Sequence, residues 1–435
     1  MICPLTAAAV RHPDAPALID GACILTFAEL DARVAGCTLL DDLPIGSRLG
    51  IWDPDHLAAI PVMLSAWRRG VTVVLLSARL PDVSAIADRL GIDRLLRGED
   101  LSLPAATATQ PATICGELHT VLLTSGSSGQ PKAVAHHLAA HLANAAGSNA
   151  NIEFGPGDRW RRTLSMAHIG GLAILMRALV GGGAVVLDAE TPSTHLSLVA
   201  VQLRRLLARP TLPTLRALLV GGGPIPPELI TAALQRGLPV HTTYGMTELG
   251  SQVTTTPAGA TAEQLRTAGR SLLGREVTIA QTGEILVRGS TVLAGYLTAE
   301  GLSSGVDAAG WYHTGDVGTL EDGWLIPTGR LDQMFISGGE NIHPETIERA
   351  LGGLVEAAAV VPVSDPRWGA RPVAFIRGEF DPDALRTALR ERLPRFSVPD
   401  AFLPWPDEAP GADGKPPRAW LAAYARQHAH RAVNV

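Results

Sequence analysis

Five short stretches carry residue types suited to chemistry on phosphates. "TSGSSGQPK", Thr124 to Lys132, follows the apolar run "LHTVLL". A glycine-rich loop leaving a buried strand exposes successive backbone N–H groups. Around Gly126 and Gly129 these join the hydroxyls of Thr124, Ser125, Ser127 and Ser128, a set suited to a polyphosphate, and Lys132 adds charge. The spacing is not that of a P-loop, because Ala133 follows Lys132 and supplies no hydroxyl for a metal. A plain Gly/Ser surface loop is the competing reading. "TTYGMTELG" sets Tyr244, Thr247 and Glu248 together, and one carboxylate beside phosphates is enough to hold Mg²⁺, which keeps most of its water. The competing reading is a helix N-cap at Thr247. In "GWYHTGDVG", Asp316 can accept both hydroxyls of a ribose or can simply be a turn residue. "GRLDQMFISGGENIHPETIE" and the Gly/Pro-flanked Lys415 of "GADGKPPR" complete the series.

The elements that must carry these loops alternate regularly. "RLGIWD", "VTVVLLS", "HTVLLTSG", "GAVVLD", "RALLVGGG" and "LPVHTTYG" read as buried strands. "LAAIPVMLSAWRRG", "LAAHLANAAG", "LVAVQLRRLLARP" and "PPELITAALQRG" between them read as amphipathic helices. This order predicts an α/β fold of layered, mostly parallel sheets. From about Val277, "EVTIAQTGEILVRGSTVLAGYL" and "GTLEDGWLIPTGRLDQMFISGG" predict β-hairpins with Gly-containing turns. The tail, with strands in "AAAVVPVS" and "RPVAFIRG" and helices in "HPETIERALGG" and "DALRTALRERL", predicts a small α+β domain. The expected division is 1–330 and 331–435, with a hinge at Asp332. The Pro-rich "FLPWPDEAPGADGKPP" reads as a surface loop.

Composition narrows the class. The chain has 435 residues, 46% hydrophobic and 18% charged, with a net charge of -6. That length supports two or three domains, and the acidic balance argues against nucleic-acid binding. Cys3, Cys23, Cys37 and Cys115 form no metal or redox spacing and read as reduced thiols in a cytoplasmic protein. The N-terminus lacks the pattern of a secretory signal. "HIGGLAILMRALVGGGAVVL" is the most apolar stretch, but Arg177 and five glycines make it buried core rather than a membrane span. His137 and His141 have the i, i+4 spacing of a zinc helix without its glutamate, and read as a helix face.

Taken in order, the five motifs resemble the adenylate-forming superfamily of acyl-CoA synthetases, peptide-synthetase adenylation domains and luciferases. "TYGMTE", "YHTGD", "GRLDQMFISGGENIHPETIE" and "GKPPR" carry the likeness, which covers almost the whole chain. "TSGSSGQPK" looks like that family's phosphate loop, with Ser128 in place of the usual threonine. The resemblance implies a large N-terminal domain and a mobile C-terminal lid. It implies ATP, Mg²⁺ and coenzyme A as co-substrates and cofactor. Ser125 to Gly129, Lys132, Gly222, Gly223, Pro224 and Thr243 to Glu248 would line the nucleotide site. Thr124 and Glu248 would hold Mg²⁺, Asp316 and Arg330 the ribose. Lys415 would bridge the attacking carboxylate and the α-phosphate, and Ser337, Gly338, Gly339 and Glu340 would meet coenzyme A after lid rotation. The family includes dimers and tetramers, so a homo-oligomer stays open.

The acid is read from "LSMAHIGGLAILMRALVGGGAVVL". His168 resembles the family residue at the mouth of the acyl site, where it orders the carboxylate or gates the thiol. A partly buried histidine satisfied by backbone is the alternative. An unpaired guanidinium is costly to bury, so Arg177 must meet an anion. That anion is either a structural carboxylate or a second carboxylate on the substrate, gripped by the planar fork. The narrower resemblance is to the o-succinylbenzoate–CoA ligase group of menaquinone biosynthesis, in which an arginine nine residues after the histidine meets the distal carboxylate. Gly171, Gly221 and Thr243 are expected as walls of the aromatic pocket. Three rivals remain: another aryl- or acyl-CoA ligase, an enzyme loading a separate carrier protein, and a non-catalytic nucleotide sensor. The sensor would be expected to have lost Lys415, Glu248 or Asp316, and all three are present. Lys415→Ala is expected to abolish adenylation, measured as pyrophosphate release, while coenzyme A still captures a supplied acyl-adenylate. Equal loss of both half-reactions would make the lysine structural.

Overall fold

The structure, a computed structural model, describes residues 1–432 apart from 81, 110–111, 115, 117, 125–130 and 408–417. The alternating apolar runs form two large sheets. One has seven strands, ordered Gly301–Ser303, Gly295–Thr298, Lys132–His136, Thr120–Thr124, Thr72–Leu76, Arg48–Trp52 and Arg94–Arg97. Its last four strands are parallel, and Thr72–Leu76 is buried at every residue, as expected of a strand covered on both faces. The other sheet has nine strands, with a parallel centre of Ala184–Val186, Arg159–Arg161, His195–Leu198, Ala217–Val220 and the first half of Val240–Met246.

Both sheets feed one core. Leu49, Val73 and Leu122 come from the first sheet and Leu18, Val185 and Leu219 from the second. Helices Ala59–Arg68, Leu138–Asn151 and Ile169–Gly181 add Trp67, Leu138, Leu172 and Ile174 to it. Helix Ile169–Gly181 is buried without a break from Gly171 to Leu179, so its apolar residues face protein all round. Among the described residues no helix is long and apolar enough to cross a membrane. Cys3, Cys23 and Cys37 are free.

Two smaller sheets complete the molecule. Arg275–Ile279, Glu284–Gly289, Tyr312–Glu321 and Trp324–Arg330 form an antiparallel meander. A single 3₁₀ turn, Leu331–Gln333, then leads into the C-terminal sheet, whose strands are Glu340–Ile342, Phe335–Ser337, Gly369–Arg377 and Ala357–Asp365. Helix Pro344–Leu351 lies back on the meander, where Arg349 donates to the Pro327 carbonyl at 3.1 Å and Thr346 to that of Thr328 at 3.3 Å.

The structure departs from the sequence reading in two places. "VLAGYL" does not extend the hairpins. Gly295–Thr298 crosses to the seven-stranded sheet and pairs with Lys132–His136, which buries Leu297 against Val121 and Ala135. The start of the Pro-rich stretch is not a surface loop either. Ala401–Pro404 is a strand parallel to Gly369–Arg377, and Phe402 and Leu403 are each 6% exposed. Proline at the end of an edge strand leaves the ladder intact, so the stretch escapes a composition argument. Because Phe402 packs with Ile342, Ile347 and Leu389, Phe402→Ala is expected to cost about 3–4 kcal/mol, read as a loss of denaturation midpoint. A change below about 1 kcal/mol would return the stretch to the surface.

Candidate active site

Loops at the ends of the strands build a cleft of about 1160 Å³. Thr124 closes strand Thr120–Thr124, and Lys132 opens the antiparallel strand that returns beside it, with Thr124 and Lys132 in register. Both line the cleft, at the base of the glycine-rich loop. Ser125, Gly126, Ser127, Ser128 and Gly129 lie outside the described residues. The Lys132 ammonium sits 5.4 Å from the Tyr296 ring centroid. Gly222, Gly223 and Pro224 follow strand Ala217–Val220 and form another wall. Gly221 is not on that wall. A Cβ there would lie 2.5 Å from Thr243 Cγ2, so glycine lets the two strands close on each other.

Thr243 to Glu248 run along the floor of the cleft. The strand Val240–Met246 breaks into the 3₁₀ turn Thr247–Leu249 and returns as Ser251–Thr255. The turn is tight. A Cβ on Gly245 would fall 1.8 Å from the Ser251 carbonyl, and Ser251 itself sits at φ 117°, a region that favours glycine. His136 bonds the Thr247 carbonyl at 2.7 Å from behind, and the Leu293 N–H donates to the Glu248 carbonyl at 2.8 Å. The Glu248 side chain is thereby presented on a fixed backbone. Among the described side chains, the Tyr296 hydroxyl gives its Oε1 a long bond of 3.5 Å. Burial pushes its carboxyl above the ordinary value, with Lys132 opposing. A half-buried carboxylate with little company fits a single-carboxylate Mg²⁺ site in which ATP oxygens and water would supply the remaining ligands.

Asp316 is anchored from two sheets. Tyr244 donates to its Oδ2 at 2.7 Å and Arg330 to its Oδ1 at 3.0 Å. The second edge of the Arg330 guanidinium grips Asp332 in a bidentate pair at 2.9 and 3.2 Å. Burial raises the Asp316 carboxyl, while Tyr244 and Arg330 pull it back down. Burial next to that carboxylate drives the Tyr244 phenol well above its ordinary value, so it stays a donor. Each Asp316 oxygen keeps a lone pair for a diol.

The C-terminal part closes the cleft with residues the sequence reading did not single out. Glu345, Glu348, Arg349 and Arg418 all line it. Arg418 pairs with Glu348 at 2.8 Å and with Glu345 at 3.5 Å. A charged helix face gives no local sign of facing a cleft, although Arg418 stands three residues after Lys415, which lies outside the described residues. The predicted coenzyme A loop is not brought to the cleft. Ser337 is buried under Arg371, which donates to its hydroxyl at 3.0 Å, and Gly338 donates to the Trp368 carbonyl at 2.9 Å. Gly339 and Glu340 are exposed at the far side of that turn.

Of the expected acyl residues Thr243 lines the cleft, whereas His168, Gly171 and Arg177 lie off its lining. His168 is the N-cap of helix Ile169–Gly181 and is exposed, so it is not a buried, backbone-satisfied histidine. Gly171 proves to be a packing position, since its Cβ would lie 2.2 Å from the Ser165 carbonyl. Arg177 is 1% exposed. Its Nε donates to Ser148 at 2.8 Å and one Nη to Gln252 at 2.6 Å, and its plane lies 4.6 Å over Trp160. The other Nη has no partner. Among the described residues no carboxylate pairs with it, which removes the structural ion pair. Burial and the nearby Arg275 cation pull its pKa down to about 9, so it is still a cation at neutral pH.

A carboxyl raised by burial contributes stability below its ordinary value of 4.5, and that contribution is lost as pH rises through the raised value. At neutral pH ionised Glu248 therefore weighs against the ligand-free fold. Glu248→Gln is expected to hold or raise the thermal midpoint of ligand-free protein at pH 7, while turnover with Mg²⁺ and ATP falls by on the order of 100-fold. A lowered midpoint with full turnover would remove the metal role.

Known proteins share this architecture. The profile of the AMP-binding enzyme family matches residues 84–297, and that of the AMP-binding enzyme C-terminal domain matches 347–410. A 2-succinylbenzoate–CoA ligase of Escherichia coli is 37% identical over 312 residues, which is 70% of this chain and 67% of the relative. One of Geobacillus kaustophilus is 32% identical over 455 residues, 92% of each chain. The solved o-succinylbenzoate coenzyme A synthetase of Bacillus subtilis, in complex with ATP and magnesium ion, superposes with a TM-score of 0.86 at 27% identity, over 97% of this chain and 99% of that one. With both parts of the molecule matched and the likeness running nearly end to end, the chain belongs to the AMP-binding enzyme family.

Proposed function

We propose that this chain is an AMP-forming acid–CoA ligase whose acid is 2-succinylbenzoate. The observation that carries the choice of acid is Arg177, a fully buried cation with one Nη unpartnered and, among the described residues, no carboxylate paired with it. A charge buried in that state is costly, and a second carboxylate on the substrate would relieve the cost. The relatives at 37% and 32% identity bear the name of this activity.

In the first half-reaction an oxygen of the aliphatic carboxylate attacks the α-phosphorus of ATP. The bond from that phosphorus to the bridging oxygen breaks, and pyrophosphate leaves with its electron pair. Little covalent work falls to the protein, so positioning and electrostatics dominate. Asp316 and Arg330 would hold the ribose and fix the α-phosphate against the cleft floor. Lys132 and the hydroxyls of the glycine-rich loop would take the leaving pyrophosphate. Thr124 and Glu248 would hold Mg²⁺, which neutralises phosphate charge when bound. Lys415 would bridge nucleophile and phosphate, the role its motif has in the family. In the second half-reaction the thiolate of coenzyme A attacks the acyl carbon and AMP leaves. The loop Ser337 to Glu340 would take part only after the C-terminal part has turned about Asp332. The present arrangement, with Arg418 and Arg349 on the cleft and that loop outside it, suits the adenylation step. The use of ATP and coenzyme A supports a cytoplasmic enzyme.

The test is pyrophosphate release with ATP, Mg²⁺ and 2-succinylbenzoate, benzoate, 4-phenylbutyrate or octanoate, with and without coenzyme A. Turnover confined to 2-succinylbenzoate and stimulated by coenzyme A is the expected result. In Arg177→Ala the KM for the diacid should rise on the order of 100-fold, far more than for any monoacid. Preferred turnover of a monoacid would keep the adenylating mechanism and overturn the substrate.

A further inference from the structure

The Arg177 guanidinium is held by a neutral tether. Gln252 lies on strand Ser251–Thr255 and is 2% exposed. Its side-chain oxygen accepts from Arg177 at 2.6 Å, and its side-chain nitrogen donates to Thr255 Oγ1 at 2.7 Å. The amide cannot be reversed, because a guanidinium only donates and would then meet an NH₂ group. The Thr255 hydroxyl is 2.9 Å from that of Thr243, which lines the nucleotide cleft. A continuous polar chain therefore runs from Arg177 through Gln252 and Thr255 to the cleft wall.

The backbone of Gln252 is pinned as firmly. Its carbonyl accepts from Arg275 Nε and from the Asn144 amide, each at 2.9 Å. Arg275 is itself buried, and its two Nη atoms donate to the carbonyls of Leu273 and Asn144. Two buried cations thus share this part of the interior, and among the described residues neither forms an ion pair with a carboxylate. Ser148 and Gln252 take two of the five N–H donors of the Arg177 guanidinium but none of its charge. A glutamate at 252 would have the same length and the same acceptor, and it would cancel the cation.

We propose that Gln252 is a specificity-determining positioning residue. It orients Arg177 without neutralising it, so that both the free Nη and the full positive charge are left for the second carboxylate of the acid. This rests on the reading of Arg177 as the receptor of that carboxylate.

The experiment compares the wild type, Gln252→Glu and Gln252→Met in pyrophosphate release with 2-succinylbenzoate and with 4-oxo-4-phenylbutyrate, which lacks the aromatic carboxylate. The readout is the ratio of kcat/KM for the two acids, with the thermal midpoint of each ligand-free protein. In Gln252→Glu the ratio is expected to fall by on the order of 30-fold, mainly through the KM of the diacid, with the midpoint unchanged or raised as the new carboxylate pairs with Arg177. Gln252→Met, which loses the tether but keeps the charge, should lower the ratio by a smaller factor, on the order of 5-fold. In an Arg177→Ala background neither substitution should move the ratio further. Equal losses on both acids would make Gln252 a packing residue and overturn the proposal. Should Gln252→Glu fail to fold, the ratio in Gln252→Met decides on the same terms. A wild type that shows no preference for the diacid would instead remove the reading of Arg177, and the proposal with it.

Discussion

The Asp316 carboxylate is the point at which three parts of the molecule meet. Tyr244 reaches it from the nine-stranded sheet, Arg330 from the meander, and through Arg330 it is tied to Asp332 in the turn that leads to the C-terminal sheet. Burial raises this carboxyl above the ordinary carboxylate value, and its two donors offset only part of that shift. A diol bound there would sense the positions of both sheets and of the joint. The bidentate Arg330–Asp332 pair ties the meander to the start of the C-terminal sheet.

Two other ionised groups, Glu248 and Arg177, are left poorly compensated. Glu248 keeps one long hydrogen bond from Tyr296, and Arg177 keeps two bonds to neutral groups. Arg177 is buried and Glu248 half-buried, and both are shifted towards their neutral forms. A protein selected only for stability would pair such charges or replace them. Their isolation is understandable if the missing partners are ligands: a cation with its phosphates at Glu248, a carboxylate at Arg177. The cost is carried by the surrounding packing, in particular the Trp160 ring under Arg177 and the strained turn at Ser251 behind Glu248.

Much of this was legible beforehand. Short apolar strands alternating with amphipathic helices implied the layered α/β body, because a strand covered on both faces must be apolar throughout. Thr124, Lys132, Gly222, Pro224, Tyr244, Glu248, Asp316 and Arg330 were singled out from loop chemistry and motif, and the fold brings them to one cleft. The failures share a cause. Gly295–Thr298 and Ala401–Pro404 were misjudged because their partners are distant strands, and pairing partners leave no local trace. Glu345, Arg349 and Arg418 were missed for a related reason, since a charged helix face reads the same whether it meets water or a cleft.

The sequence by itself determined which chemical groups are available and the order in which strands and helices present them, since period, turn residues and motif spacing are local properties. Only the tertiary structure decided what each group faces. The choice between an ion pair and a free cation at Arg177 depended on residues 29 and 75 positions away, Ser148 and Gln252, meeting it in the interior. The charge state of a buried group follows from its surroundings in three dimensions, and those surroundings exist only once the chain has closed on itself.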